Sequence, residues 1–92
     1  MTKTALVTGG TRGIGASVSI SLKKAGYNVA ATYNSNTEKA NAFASEHEIE
    51  VFQWNVADSA ACEAGVKQVK DKMGSIDILI NNAGISKASM AH

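Results

Sequence analysis

The sequence predicts an α/β fold in which helices cover both faces of a doubly wound parallel sheet. Short apolar runs alternate with stretches whose apolar residues recur at helical spacing, in the order βαβαβαβ. A glycine-rich turn stands between the first apolar run and the first helical stretch, which is the position of phosphate-binding turns in such sheets. Right-handed crossovers favour strand order 3-2-1-4, with a ligand crevice between the carboxyl ends of the first and fourth strands.

The first strand is predicted over residues 4–8 and leads into the glycine turn Thr8–Gly15, which reads Thr-Gly-Gly-Thr-Arg-Gly-Ile-Gly. Gly9 permits the tight turn, Gly13 lets the backbone approach a pyrophosphate, and Gly15 lets the helix pack against the strand. Free N–H groups at the start of the following helix face the anion, and the helix dipole adds to the attraction. The glycine turn is therefore the candidate phosphate-binding element.

Three helices are predicted from apolar stripes at helical spacing. The first ends at Gly26, a C-terminal cap, and the second begins with a capping box over Ser35–Glu38. The third is capped by Asp58 at its start and closed by Gly74. The stripes are Ile14, Val18, Leu22 and Ala25 in the first helix, Ala40, Phe43, Ala44 and His47 in the second, and Cys62, Val66, Val69 and Met73 in the third.

The remaining strands are short and apolar. They are predicted over residues 29–33, 49–54 and 76–80, and the last of them is interrupted only by Asp77. Near-continuous apolar strands are typical of parallel sheets that are covered on both faces. The strand composition therefore agrees with the alternating order of the elements.

Composition excludes several functional classes. The 92 residues are 45% hydrophobic and 18% charged, which is typical of one small globular domain. A net charge of +1 provides no electrostatic case for nucleic acid or an anionic membrane surface, and no apolar run approaches the roughly 18 residues of a membrane helix. A single cysteine excludes an internal disulfide framework, so we expect a cytoplasmic protein without a metal cluster.

Two other classes compete with a dinucleotide-binding domain. A phosphate-loop NTPase requires a Gly-Lys-Ser/Thr sequence that reaches the β and γ phosphates. Here Gly15 is followed by Ala16 and Ser17, and the glycine turn contains no lysine, which argues against that class. A flavodoxin-like or structural α/β domain, with glycine used only for the turn, stays open from the pattern alone.

The glycine turn and a second motif, Asn81-Asn82-Ala83-Gly84, together resemble the short-chain dehydrogenase/reductase family. The segments 4–15, 25–27 and 54–57 are most similar to its NADPH-dependent acetoacetyl-CoA reductases, and the chain is also similar to the sister 3-oxoacyl-ACP reductases. The resemblance covers residues 3 to about 85 and implies a Rossmann-type fold.

The resemblance implies a role for each residue of the two motifs. The glycine turn would hold the cofactor phosphates and the adenosine ribose, Asn55 and Val56 would meet the adenine edge, and the second motif would line the ribose and nicotinamide side. Asn81 is expected to stabilise the strand end without touching cofactor. The residues assigned to the cofactor are Gly9, Thr11, Arg12, Gly13, Ile14, Gly15, Asn34, Asn55, Val56, Asn82, Ala83, Gly84 and Ile85.

The cofactor itself is predicted to be NADP(H). NAD-specific sites place a carboxylate about 20 residues after the glycines, on the 2′-hydroxyl of the adenosine ribose. That position falls near Tyr33 and Asn34, and residues 29–37 contain no acid. Arg12 supplies a cation suited to a 2′-phosphate.

The family's chemistry requires a tyrosine acid/base with a lysine four residues later and an upstream serine. Tyr27 and Tyr33 are followed at that spacing by Ala31 and Thr37, so no catalytic residue is assigned. We therefore expect the amino-terminal, cofactor-binding part of a single-domain reductase.

The resemblance implies a homotetramer that reduces acetoacetyl-CoA to 3-hydroxybutyryl-CoA in polyhydroxybutyrate synthesis. The alternatives are a 3-oxoacyl-ACP reductase fragment and a non-catalytic nucleotide-binding remnant.

Overall fold

A four-stranded parallel sheet organises the computed structural model, which describes residues 2–82. Numbered along the chain, its strands lie in the order 3-2-1-4, so the predicted α/β class and strand order are both confirmed. The first and fourth strands are shorter than predicted by one and two residues, the third is shorter by one residue at each end, and the second begins one residue earlier, at Asn28. The elements are β1 (Thr4–Val7), α1 (Gly13–Lys24), β2 (Asn28–Tyr33), α2 (Thr37–His47), β3 (Glu50–Gln53), α3 (Ser59–Met73) and β4 (Ile78–Ile80).

The central strand β1 divides the hydrophobic core into two layers. All four of its residues are buried, and successive side chains of a strand point to opposite faces of the sheet. Leu6 lies in the cluster that packs under α3, whereas Val7 lies in the cluster that packs under α1 and α2. Helices therefore cover both faces, as the apolar strands predict.

The face that α1 presents to the sheet differs from the predicted stripe. Val18 and Leu22 pack against the core as expected, but Ile14 is 77% exposed and Ala25 is exposed. The fully buried position is Ser19, whose hydroxyl donates to the Gly10 carbonyl at 2.9 Å. This small residue lies against the preceding turn, and Ile14 lies on the exposed side of the helix.

The start of α2 also differs from the prediction. The capping residue is Asn36, not Ser35, and its Oδ1 accepts from the Lys39 N–H at 3.3 Å. Asn36 has a φ of 60°, a left-handed conformation that asparagine tolerates better than most residues. The predicted core face of α2 is confirmed, because Ala40 and Phe43 are buried against the sheet.

The predicted features of α3 are confirmed. Asp58 caps its start, because Oδ1 accepts from the Ala61 N–H at 3.1 Å. Gly74 follows its last residue with a φ of 86°, a conformation that favours glycine. Its apolar stripe packs against the Leu6 side of the core, and Gly65 of the same helix contacts the indole ring of Trp54.

Asp77, the one charged residue of the fourth apolar run, pairs with the start of β1. Its Oδ2 accepts from the Thr4 N–H at 2.9 Å, and its own N–H donates to the Thr4 carbonyl at 2.9 Å. The carboxylate thus satisfies the first donor of β1. β4 pairs with β1 on one side, and within residues 2–82 no strand pairs with its other side.

Candidate functional site

An open cavity of about 450 Å³ lies at the carboxyl ends of β1, β2 and β4. Parallel doubly wound sheets bind their ligands at this edge, where the strand order reverses. Three segments line the cavity: the glycine turn after β1, the loop after β2 with the first turn of α2, and the end of β4. The lining residues are Gly9, Thr11, Arg12, Gly13, Ile14, Tyr33, Asn34, Ser35, Asn36, Lys39 and Asn82.

Two glycines of the turn serve different purposes. Gly13 has a φ of 59°, and a Cβ built on it would meet nothing within 4 Å, so the backbone there is open to a ligand. Gly15 has no such space, because a Cβ would overlap the Gly9 carbonyl oxygen and lie 2.7 Å from Asn82 Nδ2. The close contact predicted for Gly15 therefore exists, but it is with the turn and Asn82.

Hydrogen bonds to β2 and α1 hold the glycine turn in place. The Gly9 N–H donates to Thr32 Oγ1 at 3.1 Å, and the Gly10 N–H donates to the Thr32 carbonyl at 3.0 Å. The Ser19 hydroxyl closes the other side of the turn through the Gly10 carbonyl. Ser19 and Thr32 are both buried, so the hydrogen bonds that hold the turn are shielded from water.

The two sequence motifs meet through asparagine side chains. Asn82 Nδ2 donates to the Gly9 carbonyl at 3.2 Å, and the Thr8 hydroxyl donates to Asn81 Oδ1 at 3.1 Å. The Thr8 N–H donates to the Ile80 carbonyl at 3.0 Å. Asn81 therefore binds the strand end, as predicted, whereas Asn82 joins the turn and lines the cavity.

The electrostatics of the cavity favour an anion. Arg12 and Lys39 are among its lining residues, and none of the described lining residues is an acid. Arg12 is the N-cap residue of α1 and makes no side-chain cap, and the first turn of that helix contains no acid. The N–H groups at the start of α1 are thus left without a side-chain cap at the point where a helix attracts an anion.

Most of the residues assigned from sequence come together in this cavity. Asn55 and Val56 are not among its lining residues: Asn55 Oδ1 accepts from the Ala57 N–H at 2.9 Å, and Val56 packs on the Leu6 side of the core. Ala83, Gly84 and Ile85 lie outside the described residues. The assigned residues that line the cavity are Gly9, Thr11, Arg12, Gly13, Ile14, Asn34 and Asn82.

Sequence reasoning missed Lys39 and the polar residues of the loop after β2. Tyr33, Ser35, Asn36 and Lys39 all line the cavity. Lys39 is the third residue of α2, and the first turn of a helix that follows a parallel strand lies at the carboxyl edge of the sheet. Its position in the pattern was therefore sufficient to place it near the site.

Within residues 2–82 there is no group of three or more histidine, cysteine, aspartate or glutamate side chains suited to hold a metal ion. The same part of the chain has no helix with the length and apolar character needed to cross a membrane.

Curated relatives match the whole chain. It is 54% identical over 92 residues to the acetoacetyl-CoA reductase of Paracoccus denitrificans, covering 100% of this chain and 38% of that protein. It is 44% identical over 95 residues to the 3-oxoacyl-(acyl-carrier-protein) reductase of Staphylococcus aureus strain Mu50, covering 98% of this chain and 39% of that protein. The chain thus spans about two fifths of the length of these relatives.

A solved structure and a family model agree with these relatives. The crystal structure of a blue fluorescent protein from a metagenomic library, in complex with NADPH, superposes with a TM-score of 0.84 at 39% identity, covering 90% of this chain and 36% of that one. The model of the short chain dehydrogenase family matches residues 3–92. Strand order, glycine turn, asparagine motif and family match together show that the chain belongs to the short-chain dehydrogenase/reductase family.

Proposed function

We propose that this chain is the cofactor-binding, amino-terminal part of an NADPH-dependent reductase whose substrate is acetoacetyl-CoA. The observation that carries the proposal is the cavity at the carboxyl edge of the sheet. It combines an open backbone turn at Gly13, an uncapped helix start and the cation of Arg12, without an acid among its described lining residues. This combination favours a ligand with several phosphate groups.

The residues of the cavity fit NADPH. The glycine turn and the first N–H groups of α1 would hold the pyrophosphate, because the backbone is open there and the helix dipole favours an anion. Arg12 would bind the 2′-phosphate of the adenosine ribose, beside Asn34. Asn82, with Ala83, Gly84 and Ile85 after it, would line the second ribose and the nicotinamide. Asn55 and Val56 stay proposed contacts of the adenine edge.

When bound, NADPH would supply a hydride to the 3-keto carbon of a short acyl-CoA thioester, and a proton added to the carbonyl oxygen would complete the 3-hydroxyl group. The residues of this chain bind the cofactor and orient it. They supply no assigned acid or base, since neither tyrosine is followed by lysine at the family's spacing. The proposal extends to a cytoplasmic homotetramer that functions in polyhydroxybutyrate synthesis.

The substrate class rests on the curated relatives. The acetoacetyl-CoA reductase of Paracoccus denitrificans is 54% identical to this chain, and the acyl-carrier-protein reductase of Staphylococcus aureus is 44% identical. The higher identity favours the acyl-CoA thioester. The second identity supports the 3-oxoacyl-ACP reductase as a second candidate function.

The test is a turnover assay on the protein that carries this sequence. NADPH consumption is followed with acetoacetyl-CoA and, in a parallel reaction, with the same acyl group on acyl-carrier protein. We expect turnover with both and a higher kcat/KM for the CoA thioester. A higher value for the carrier-protein thioester would favour the second candidate, and NADPH binding without turnover would favour a nucleotide-binding remnant.

A further inference from the structure

A serine lies buried near the middle of α1, where it bonds to a segment outside the helix. Ser19 is 0% exposed and is one of the buried residues of that helix, together with Gly15. Its hydroxyl donates to the Gly10 carbonyl at 2.9 Å, nine positions earlier in the chain. A serine inside a helix more commonly faces solvent or bonds to a carbonyl of its own preceding turn. The bond therefore connects the buried side of α1 to the chain before the helix.

The carbonyl that Ser19 binds belongs to a glycine in a crowded position. A Cβ built on Gly10 would lie 2.7 Å from Ser19 Oγ and 2.8 Å from the Val7 carbonyl oxygen. Only glycine fits there, and glycine restricts its own backbone dihedrals less than any other residue. The peptide group between Gly10 and Thr11 therefore requires a hydrogen bond to keep one orientation, and the Ser19 hydroxyl provides it.

The direction of this carbonyl fixes the direction of the next N–H group. In a planar trans peptide the C=O and the N–H point in opposite directions, and no peptide bond within residues 2–82 is cis. Because the Gly10 carbonyl points at Ser19, the Thr11 N–H points away from it. Thr11 lines the cavity, and Ser19 does not. The reversed orientation would turn a carbonyl oxygen, with its partial negative charge, toward the phosphates of a ligand.

We propose that Ser19 is a positioning residue for the dinucleotide and acts through the peptide group between Gly10 and Thr11. This inference rests on the proposed function and adds to it a residue that does not line the cavity. Without the hydroxyl, the peptide group would populate more than one orientation, and the apparent affinity would fall with the fraction of molecules in the binding orientation. Because the effect acts on the backbone, it is the same for NADPH and NADH, which share an adenosine diphosphate moiety.

The test measures, by calorimetry, the affinities of the protein that carries this sequence for NADPH, NADH and adenosine diphosphate. Ser19→Ala removes the hydroxyl and keeps α1, because alanine is the best helix former. Ser17→Ala and Ser21→Ala are the matched controls, since both serines are exposed residues of the same helix. We expect Ser19→Ala to raise the Kd for all three ligands by about two- to tenfold, which corresponds to one hydrogen bond, and the controls to leave it unchanged.

Two further measurements distinguish a positioning role from a general loss of stability. Gly65→Ala places a methyl group against the Trp54 indole, and Gly65 is not among the lining residues. It should therefore lower stability without raising the Kd for adenosine diphosphate. In nuclear magnetic resonance spectra of the unliganded protein, the amide resonance of Thr11 should shift in Ser19→Ala and stay in place in Ser17→Ala.

The outcomes separate this inference from the proposed function. A similar loss of affinity for all three ligands in Ser19→Ala, together with the shift of the Thr11 resonance, would support the role of Ser19. Unchanged affinity in Ser19→Ala, a loss confined to NADPH, or an equal loss in Gly65→Ala would overturn it, while the proposed function stands if the unmodified protein binds NADPH. If the unmodified protein binds none of the three ligands, the proposed function fails and this inference fails with it.

Discussion

At the scale of single residues, the glycines of this chain are required for different physical reasons. Gly13 and Gly26 both have positive φ and open space around the position of a Cβ, but only Gly13 lines the cavity. Gly15 is required because the turn and Asn82 occupy the space of its side chain. A substitution at Gly13 or Gly26 therefore strains the backbone, whereas one at Gly15 creates a steric overlap.

Gly13→Val should abolish or strongly weaken dinucleotide binding while most of the helical content is kept. The β-branched side chain is strained at a φ of 59° and would stand between the backbone and the pyrophosphate. Titration with NADPH and circular dichroism check the two parts of the prediction. Gly26→Val is the matched control, since it imposes similar backbone strain at a φ of 99° outside the cavity. Unchanged affinity in Gly13→Val would show that the glycine turn does not bind the phosphates.

Arg12→Ala should reduce the preference for NADPH over NADH. Loss of one charge-assisted contact to the 2′-phosphate should cost on the order of 1.5–3 kcal/mol of NADPH binding and leave NADH binding nearly unchanged. Arg12→Lys should recover part of the loss, because it keeps the charge without the planar fork. Binding isotherms for both cofactors check this, and equal affinities in the unmodified protein would contradict the assignment.

At the scale of the elements, sequence periodicity predicted which elements form and in which order, but not every face or cap. The predicted stripe of α3 packs against the core through Cys62, Val66, Val69 and Met73, as its apolar spacing predicts. In α1 the fully buried residue is Ser19, which bonds to the Gly10 carbonyl, and this contact between the helix and the glycine turn cannot be inferred from apolar spacing. The cap of α2 is Asn36 and not the predicted Ser35, and Asn36 adopts the left-handed conformation. The capping-box pattern does not specify this conformation.

Some features of the candidate site likewise follow from the sequence pattern, and others depend on tertiary contacts. Its position at the carboxyl edge and the role of the glycine turn follow from the strand order and the motif, and both are local or topological properties. The conformation of the loop after β2, at Tyr33 and Asn34, depends on its hydrogen bonds to Trp54 and Gln53. Those bonds join residues about 20 positions apart in the chain, so the sequence pattern alone does not specify them.

Gly65→Ala should destabilise the protein by about 1–3 kcal/mol, because a Cβ there would overlap the indole ring of Trp54. α3 would have to move away from β3, or the indole would have to leave its buried position. Denaturant unfolding followed by the fluorescence of Trp54, the single tryptophan of the sequence, measures the change. Ala64→Ser, at the exposed neighbouring position, is the control and should change the free energy of unfolding by less than about 0.5 kcal/mol. A neutral Gly65→Ala would show that α3 is not packed closely on Trp54.

At the scale of the whole molecule, the edge of the sheet at β4 has an unusual composition for an edge. Edge strands are commonly protected by charge, proline or a covering element, whereas β4 consists of Ile78, Leu79 and Ile80, with Leu79 61% exposed. Ile80 packs against the Val7 side of the core. The relatives of this chain are more than twice its length, which leaves ample polypeptide in those proteins to cover such an edge.

A polypeptide limited to these 92 residues should therefore be marginally stable and should associate as its concentration rises. It buries a smaller fraction of its surface than a full-length reductase, and the edge of β4 that pairs with no strand of residues 2–82 can pair with another chain. We expect a weakly cooperative thermal transition, oligomers in sedimentation experiments, and no consumption of NADPH with acetoacetyl-CoA. Leu79→Lys should reduce association, because a charge on the edge opposes pairing, whereas Lys70→Gln on the outer face of α3 should not. A monomer with a sharp thermal transition would contradict the predicted marginal stability and association. Turnover that is lost on mutation of Tyr27 or Tyr33 would contradict the prediction that these residues do not catalyse the reduction.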